Sequence, residues 1–239
     1  MNIDERLISN HMLGHNPVTK IFSVGRPLAA ASSAGDRFWL DRFPGLERLA
    51  ISVPVAGEIT SNVVNPFPGV LESVWVDEDI SSVRASLGAL PQDGIGTFIG
   101  REHVVVGDPR QALPRGGVKL VAFVKRRDGF SVGQFQDYWA NRHGPIVTRT
   151  PLLLRYVQTH LDASHYGGKT EPLFDGTAEL WWASAEDYEQ SWNSRAIQDE
   201  QHQDSAVFIG GAAFICLAEE RVILEIGYNQ PDRQTAGSR

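Results

Sequence analysis

The feature that most limits what this chain can become is that it repeats itself. GVLESVWVDEDI (69–80) resembles GTAELWWASAEDY (176–188), and setting Gly69 on Gly176 places Glu72 on Glu179 and Trp75 on Trp182. Phe98-Ile99-Gly100 recurs as Phe208-Ile209-Gly210. DRFWLDRFPG (36–45) echoes FQDYWANRHGP, with Trp39 against Trp139 and Arg42 against Arg142. The segments keep one order at offsets of about 100 to 110, the mark of a tandem duplication. DPRQALPRGG, rich in Pro, Gly and charge, reads as the linker. The expected units are therefore 1–113 and 114–239.

Each half reads as strand, helix, strand, strand, helix, strand. In the second, VKLVAFVKR (118–126) is β-rich and ends at Asp128-Gly129. Ser131 with Gln134 predicts a capping box for the helix that follows. LRYVQTHLD (154–162) is extended, TAELWWA (177–183) alternates, and Ser184 with Asp187 predicts a cap for a helix through Tyr188 and Trp192. AAFICLA (212–218) closes the unit. That order is the ferredoxin-like plan, an antiparallel sheet with both helices on one face. Its other face is bare, and two copies can cover each other. The expected fold class is α+β: two tandem ferredoxin-like units forming an intramolecular α/β-barrel pseudo-dimer.

Charge and cysteine usage narrow the partners. A net charge of −7 and a longest basic run of three, Lys125-Arg126-Arg127, argue against nucleic acid or an anionic membrane. The single Cys216, between Ile215 and Leu217, excludes an internal disulfide and reads as a small core residue. MNIDERLISNHM lacks a signal pattern and no stretch approaches a membrane span, so a cytoplasmic location is expected. HExxH, CxxC, GxGxxG and the Walker loop do not occur, and His11, His15 and His103 lack metal spacing. The expectation is no metal and no cofactor, with a small molecule as partner. A homodimer stays open beside a monomer.

VKLVAFVKRRDGFSVGQFQDYWANRHGPIV followed by LLLRYVQTHL resembles the EthD family of dimeric α/β-barrel proteins. The pattern is K-R, G-x-S, F-x-x-Y-W-x-x-x-H-G-P and R-Y-V-Q-x-H, dense over 118–161 and weaker from 176 to 225. The resemblance implies cofactor-free chemistry on small, often cyclic or aromatic molecules. Relatives include a methylmuconolactone isomerase, fungal polyketide dehydratases and a protein linked to ether degradation, and the fold also hosts cofactor-independent oxygenases. Fold alone does not choose among them.

The residues themselves suggest acid–base work. Phe135, Trp139 and His143 fall on one helix face. Strand alternation sends Tyr156, Gln158 and His160 to one side and Arg155, Val157 and Thr159 to the other. If the first row faces the helix, His143 and His160 share a pocket as base and acid. Tyr138, Tyr156 or Gln158 would donate to an enolate oxygen. Trp139, Trp181 and Trp182 would wall an aromatic or lactone substrate, with Arg142 and Glu179 beside it.

Plainer roles compete at most of these positions. His143 could cap a helix end before Gly144-Pro145, and His160 could bond Asp162 or backbone. Glu179 could orient a histidine or serve structure alone, while Trp182 and Trp75 could be repeat core. His165 and Tyr166 read as lid or solvated loop, and His202 as an exposed helix residue. In the first half Phe43 takes the place of His143, and Val53 that of His160, which implies one working site per chain. The leading expectation is a cofactor-independent lyase or isomerase on a small aromatic or lactone compound. The alternatives are a non-catalytic accessory or ligand-binding protein, or a cofactor-free monooxygenase.

Overall fold

The computed structural model describes residues 19–25, 39, 41–54, 70–87, 94–108, 110–111, 113–168 and 171–225. His11, His15 and the segment MNIDERLISNHM lie outside the described residues, as do the side chains of Glu72 and Cys216.

Alternation of apolar and polar residues yields eight strands among the described residues. They are β1 (Thr19–Gly25), β2 (Leu46–Pro54), β3 (Val70–Val76), β4 (Gly94–Val106), β5 (Val118–Arg126), β6 (Arg155–Leu161), β7 (Gly176–Trp182) and β8 (Ile209–Glu225). All pairings are antiparallel, and the order β1-β3-β2-β8-β5-β7-β6-β4 closes through β4 onto β1. Read by halves, β4-β1-β3-β2 and β8-β5-β7-β6 are the same order, that of a ferredoxin-like unit. The two units join at β2–β8 and β6–β4, so no described strand leaves a free edge. The fold is the α+β barrel expected from the repeat.

Helices pack outside the barrel. They are α1 (Ile80–Leu87) in the first half, then α2 (Val132–Tyr138), α3 (Gly144–Val147), α4 (Ala185–Trp192) and α5 (His202–Phe208). In the second half Leu120, Tyr156, Leu180 and Trp182 on the strands meet Phe135, Trp139, Tyr188 and Phe208 on the helical layer. Trp139 is almost wholly buried there. An indole of that burial removes 150 to 250 Å² from water, roughly 4 to 6 kcal/mol before entropy is counted. The first half repeats the layer with Ile21, Leu49 and Val74 against Trp39, Phe43 and Val83.

The barrel interior is aromatic at one end and ionic at the other. Phe22, Phe98, Phe123 and Phe174 form the apolar plug, with Phe98 and Phe123 each under 5 Å from Phe174 by ring centroid (4.5 and 4.8 Å). Beyond it, Lys20 bonds Glu102 at 3.0 Å and Lys119 bonds Glu220 at 2.8 Å, and Glu179 bridges both lysines. Lys20 and Arg48 flank the Trp75 ring, as Lys119 and Arg155 flank Trp181.

That symmetry corrects the correspondence between the halves. Lys20 and Arg48 pair with Trp75 in strand register, and Lys119 and Arg155 pair with Trp181. Trp75 therefore matches Trp181, not Trp182, and Ser73, not Glu72, holds the place of Glu179. A slip of one residue in a strand moves every side chain to the opposite face. Phe98 and Phe208 are not counterparts either: Phe98 is inside β4, whereas Phe208 ends α5.

Candidate active site

The histidine candidates sit on the outer layer of the second half. The Ser131 hydroxyl oxygen accepts from the Gln134 backbone amide and Gln134 Oε1 accepts from the Ser131 backbone amide, which sets the start of α2. At Trp139–His143 the helix widens into a π turn, closed by the Gly144 amide on the Trp139 carbonyl. It does not stop at Gly144-Pro145 but continues as α3. Proline has no N–H and crowds the carbonyl four residues back, and a widened turn absorbs both. His143 is therefore not a terminal cap.

His143 Nδ1 lies 2.7 Å from Asp204 Oδ2, and the Tyr138 hydroxyl donates to Asp204 Oδ1 at 2.9 Å. Asp204 belongs to α5, behind a second π turn at Ala196–Gln201. The Phe208 ring packs on both the His143 imidazole and the Tyr138 ring, with centroids 5.0 Å away in each case. Burial pushes the His143 pKa down, outweighing the upward pull of Asp204. A neutral imidazole facing a carboxylate carries its proton on Nδ1, which leaves the Nε2 lone pair free. Among the described residues Nε2 makes no hydrogen bond. Burial, then the Asp204 contact, raises the Tyr138 pKa, so its proton stays on oxygen and is committed to Asp204.

Tyr156, Gln158 and His160 do share the helix-facing side of β6, but as a closed network. Gln158 Nε2 donates to the Trp139 carbonyl at 2.9 Å and to the Tyr156 hydroxyl at 3.0 Å. Trp139 Nε1 donates to the same hydroxyl at 3.0 Å. His160 Nε2 lies 2.9 Å from Gln158 Oε1, and its ring stacks flat on Trp139 at 4.7 Å. Burial, with His103 adding to it, holds the His160 pKa down to about 4. Burial also drives the Tyr156 pKa well upward. Both amide hydrogens of Gln158 are spent on protein acceptors, which leaves none for an enolate.

The two imidazoles therefore stand in different hydrogen-bond networks, one on Asp204 and one on Gln158. Arg142 is exposed, its guanidinium 5.8 Å from the Tyr138 ring centre. Trp182 packs edge-on against Tyr188 in the helix-side core, while Trp181 is on the opposite, interior face. Glu179 orients lysines, not a histidine, and Lys119 and Lys20 overcome burial to hold its carboxyl at about 2. His202 is exposed as expected, and His165 Nε2 accepts from the Ile99 amide. In the first half Phe43 is buried and stacks on Trp39. Asp204 was not singled out from sequence; the only local hint was a carboxylate one helical turn before Phe208, the aromatic end of α5.

Tyr138 also borders an open groove of about 260 Å³, lined by Gly129, Phe130, Gln134 and Asp137. Phe130 meets Tyr138 edge to face at 6.2 Å. The groove thus offers a flat apolar wall beside the Asp204-linked phenol.

The family model described as the EthD domain matches residues 127–212, a span that holds every member of this constellation. A comparison with curated proteins finds no match. Among solved structures, an anthrone oxidase-like protein is 12% identical, covering 89% of this chain and 98% of its own, with a TM-score of 0.52. An EthD family protein from Bacillus halodurans is 19% identical, over 43% of this chain and 97% of its own, with a TM-score of 0.36. A mutant chlorite dismutase from Candidatus Nitrospira defluvii, in complex with cyanide, is 12% identical, over 92% and 95%, with a TM-score of 0.47. The likeness to the anthrone oxidase-like protein, at 12% identity, is one of fold. Residues 127–212 are thus similar to the EthD domain.

Proposed function

We propose that the protein is a cofactor-independent lyase or isomerase acting by proton transfer on a small aromatic or lactone compound. The observation that carries this reading is the Asp204–His143 pair, with the Tyr138 hydroxyl on the same carboxylate. His143 Nε2 removes a proton from the carbon next to a carbonyl, and the electron pair passes into an enolate. Asp204 offsets the charge on the imidazolium that results. The imidazolium then returns the proton to another carbon, an isomerisation, or to a departing hydroxyl that leaves as water. A single ring fits the groove of about 260 Å³ beside Tyr138, with Arg142 at hand for an anionic substituent. In this reading unit 1–113 completes the barrel and unit 114–239 carries the site. His160, neutral at working pH and bonded to Gln158, supports the fold of that site and does not serve as its acid.

The test is mass spectrometry of the purified protein incubated with a panel of phenolic and lactone metabolites, beside His143→Gln and His160→Gln. Product from wild type and His160→Gln, but not from His143→Gln, is the expected result. Equal turnover in His143→Gln would remove the base. Ligand binding without product would favour an accessory role, and oxygen consumption a monooxygenase.

A further inference from the structure

We infer that Gln158 is a positioning residue: its side-chain amide fixes the π turn at Trp139–His143 and thereby brings His143 onto Asp204. The inference rests on His143 as the base. In an uninterrupted α-helix the Trp139 carbonyl would be bonded by the amide four residues on. Here it accepts from Gly144, five residues on, and also from Gln158 Nε2 at 2.9 Å. The strand thus supplies a second donor to a carbonyl that closes the widened turn.

The consequence is angular. A π turn holds one residue more than an α turn, so residues beyond it are turned back by roughly 100° relative to a regular helix. His143 is the last residue of that turn and lies at its displaced end. Without the displacement its ring would leave the direction of α5, where Asp204 and Phe208 hold it.

Gln158 is itself held on every polar atom. The Trp139 carbonyl can only accept, so the amide nitrogen must face it, and Oε1 must face His160 Nε2, which donates at 2.9 Å. The Tyr156 hydroxyl receives the other amide hydrogen together with Trp139 Nε1. The row on β6 clamps the helix backbone through Gln158, which Tyr156 and His160 brace from either side. Gly144 belongs to the same joint, since a Cβ there would lie 3.5 Å from Gln158 Nε2.

The experiment uses Gln158→Met and Gln158→Glu. The first matches the length without polar atoms. The second keeps an acceptor for His160 and removes both amide donors, to the Trp139 carbonyl and to the Tyr156 hydroxyl, so either variant suffices if the other folds poorly. Imidazole nitrogen NMR of His143 is read without substrate, and kcat and KM are read with it. The expected result is loss of the protected Nδ1 proton and a rise of the His143 pKa toward its ordinary value. With it kcat falls at least about tenfold while KM stays within about twofold. A folded variant whose His143 keeps the wild-type tautomer and pKa overturns the inference. Because that readout needs no turnover, such a result leaves the assignment of His143 as base intact. Conversely, a shifted tautomer with unchanged kcat would remove the base assignment and leave the clamp.

Discussion

Glu179→Gln tests the ionic interior of the barrel. Glu179 is fully buried and bridges Lys20, from the first half, and Lys119, from the second. Glutamine keeps the shape but removes the charge, leaving two buried ammonium groups with one carboxylate each, Glu102 and Glu220. Breaking such a pair from one side costs about 3 to 5 kcal/mol. Linkage gives a similar figure. The carboxyl titrates at about 2 in the folded barrel against an ordinary 4.5, a difference on the order of 3 kcal/mol. A depressed carboxyl stabilises the fold above its unfolded pKa, and that contribution fades as pH falls from 4.5 toward 2. Urea denaturation at pH 7 should therefore show the variant less stable by about 3 kcal/mol, a large share of the 5 to 15 kcal/mol usual for a domain. At pH 3 the gap should shrink by more than half. Equal stability at pH 7, or a gap that does not change with pH, would refute the reasoning.

Three further outcomes follow from the outer layer. In Gly176→Ala the new methyl would sit 2.6 Å from the Trp139 indole and against the Thr159 carbonyl, so a loss of about 1 to 3 kcal/mol is expected, with a change in tryptophan fluorescence. Ser131→Ala removes the cap of α2 and should cost about 1 kcal/mol by thermal or urea unfolding. Turnover should fall on the acid side with an apparent pKa below 6.5, because burial keeps His143 neutral and only the neutral ring is a base.

Much of the fold was legible because it follows from short-range rules. Period-2 runs gave β5, β6 and β7, and the Ser131–Gln134 pair gave the start of α2. The side-chain row Tyr156, Gln158, His160 was also predictable from alternation. What the row does was not: three polar residues read as a pocket wall are saturated by one another and by the Trp139 backbone. The π turn has no signature in WANRH beyond the proline after it, since it depends on a donor arriving from a strand. Asp204 reaches His143 only through helix packing across 61 positions. The charged interior joins residues more than 100 positions apart, and a one-residue slip in matching the halves hid that Trp75 and Trp181 are counterparts.

The claim that most needs testing is that Nε2 of His143 removes a carbon-bound proton. Deuterium incorporation from D₂O into a carbonyl-bearing phenolic or lactone ligand, followed by mass spectrometry, measures that step even without net product. Wild type should exchange, His143→Gln should not, and Asp204→Asn should be slower by about two orders of magnitude or more, because the amide lets the ring place its proton on Nε2. Exchange in His143→Gln at the wild-type rate would contradict the account.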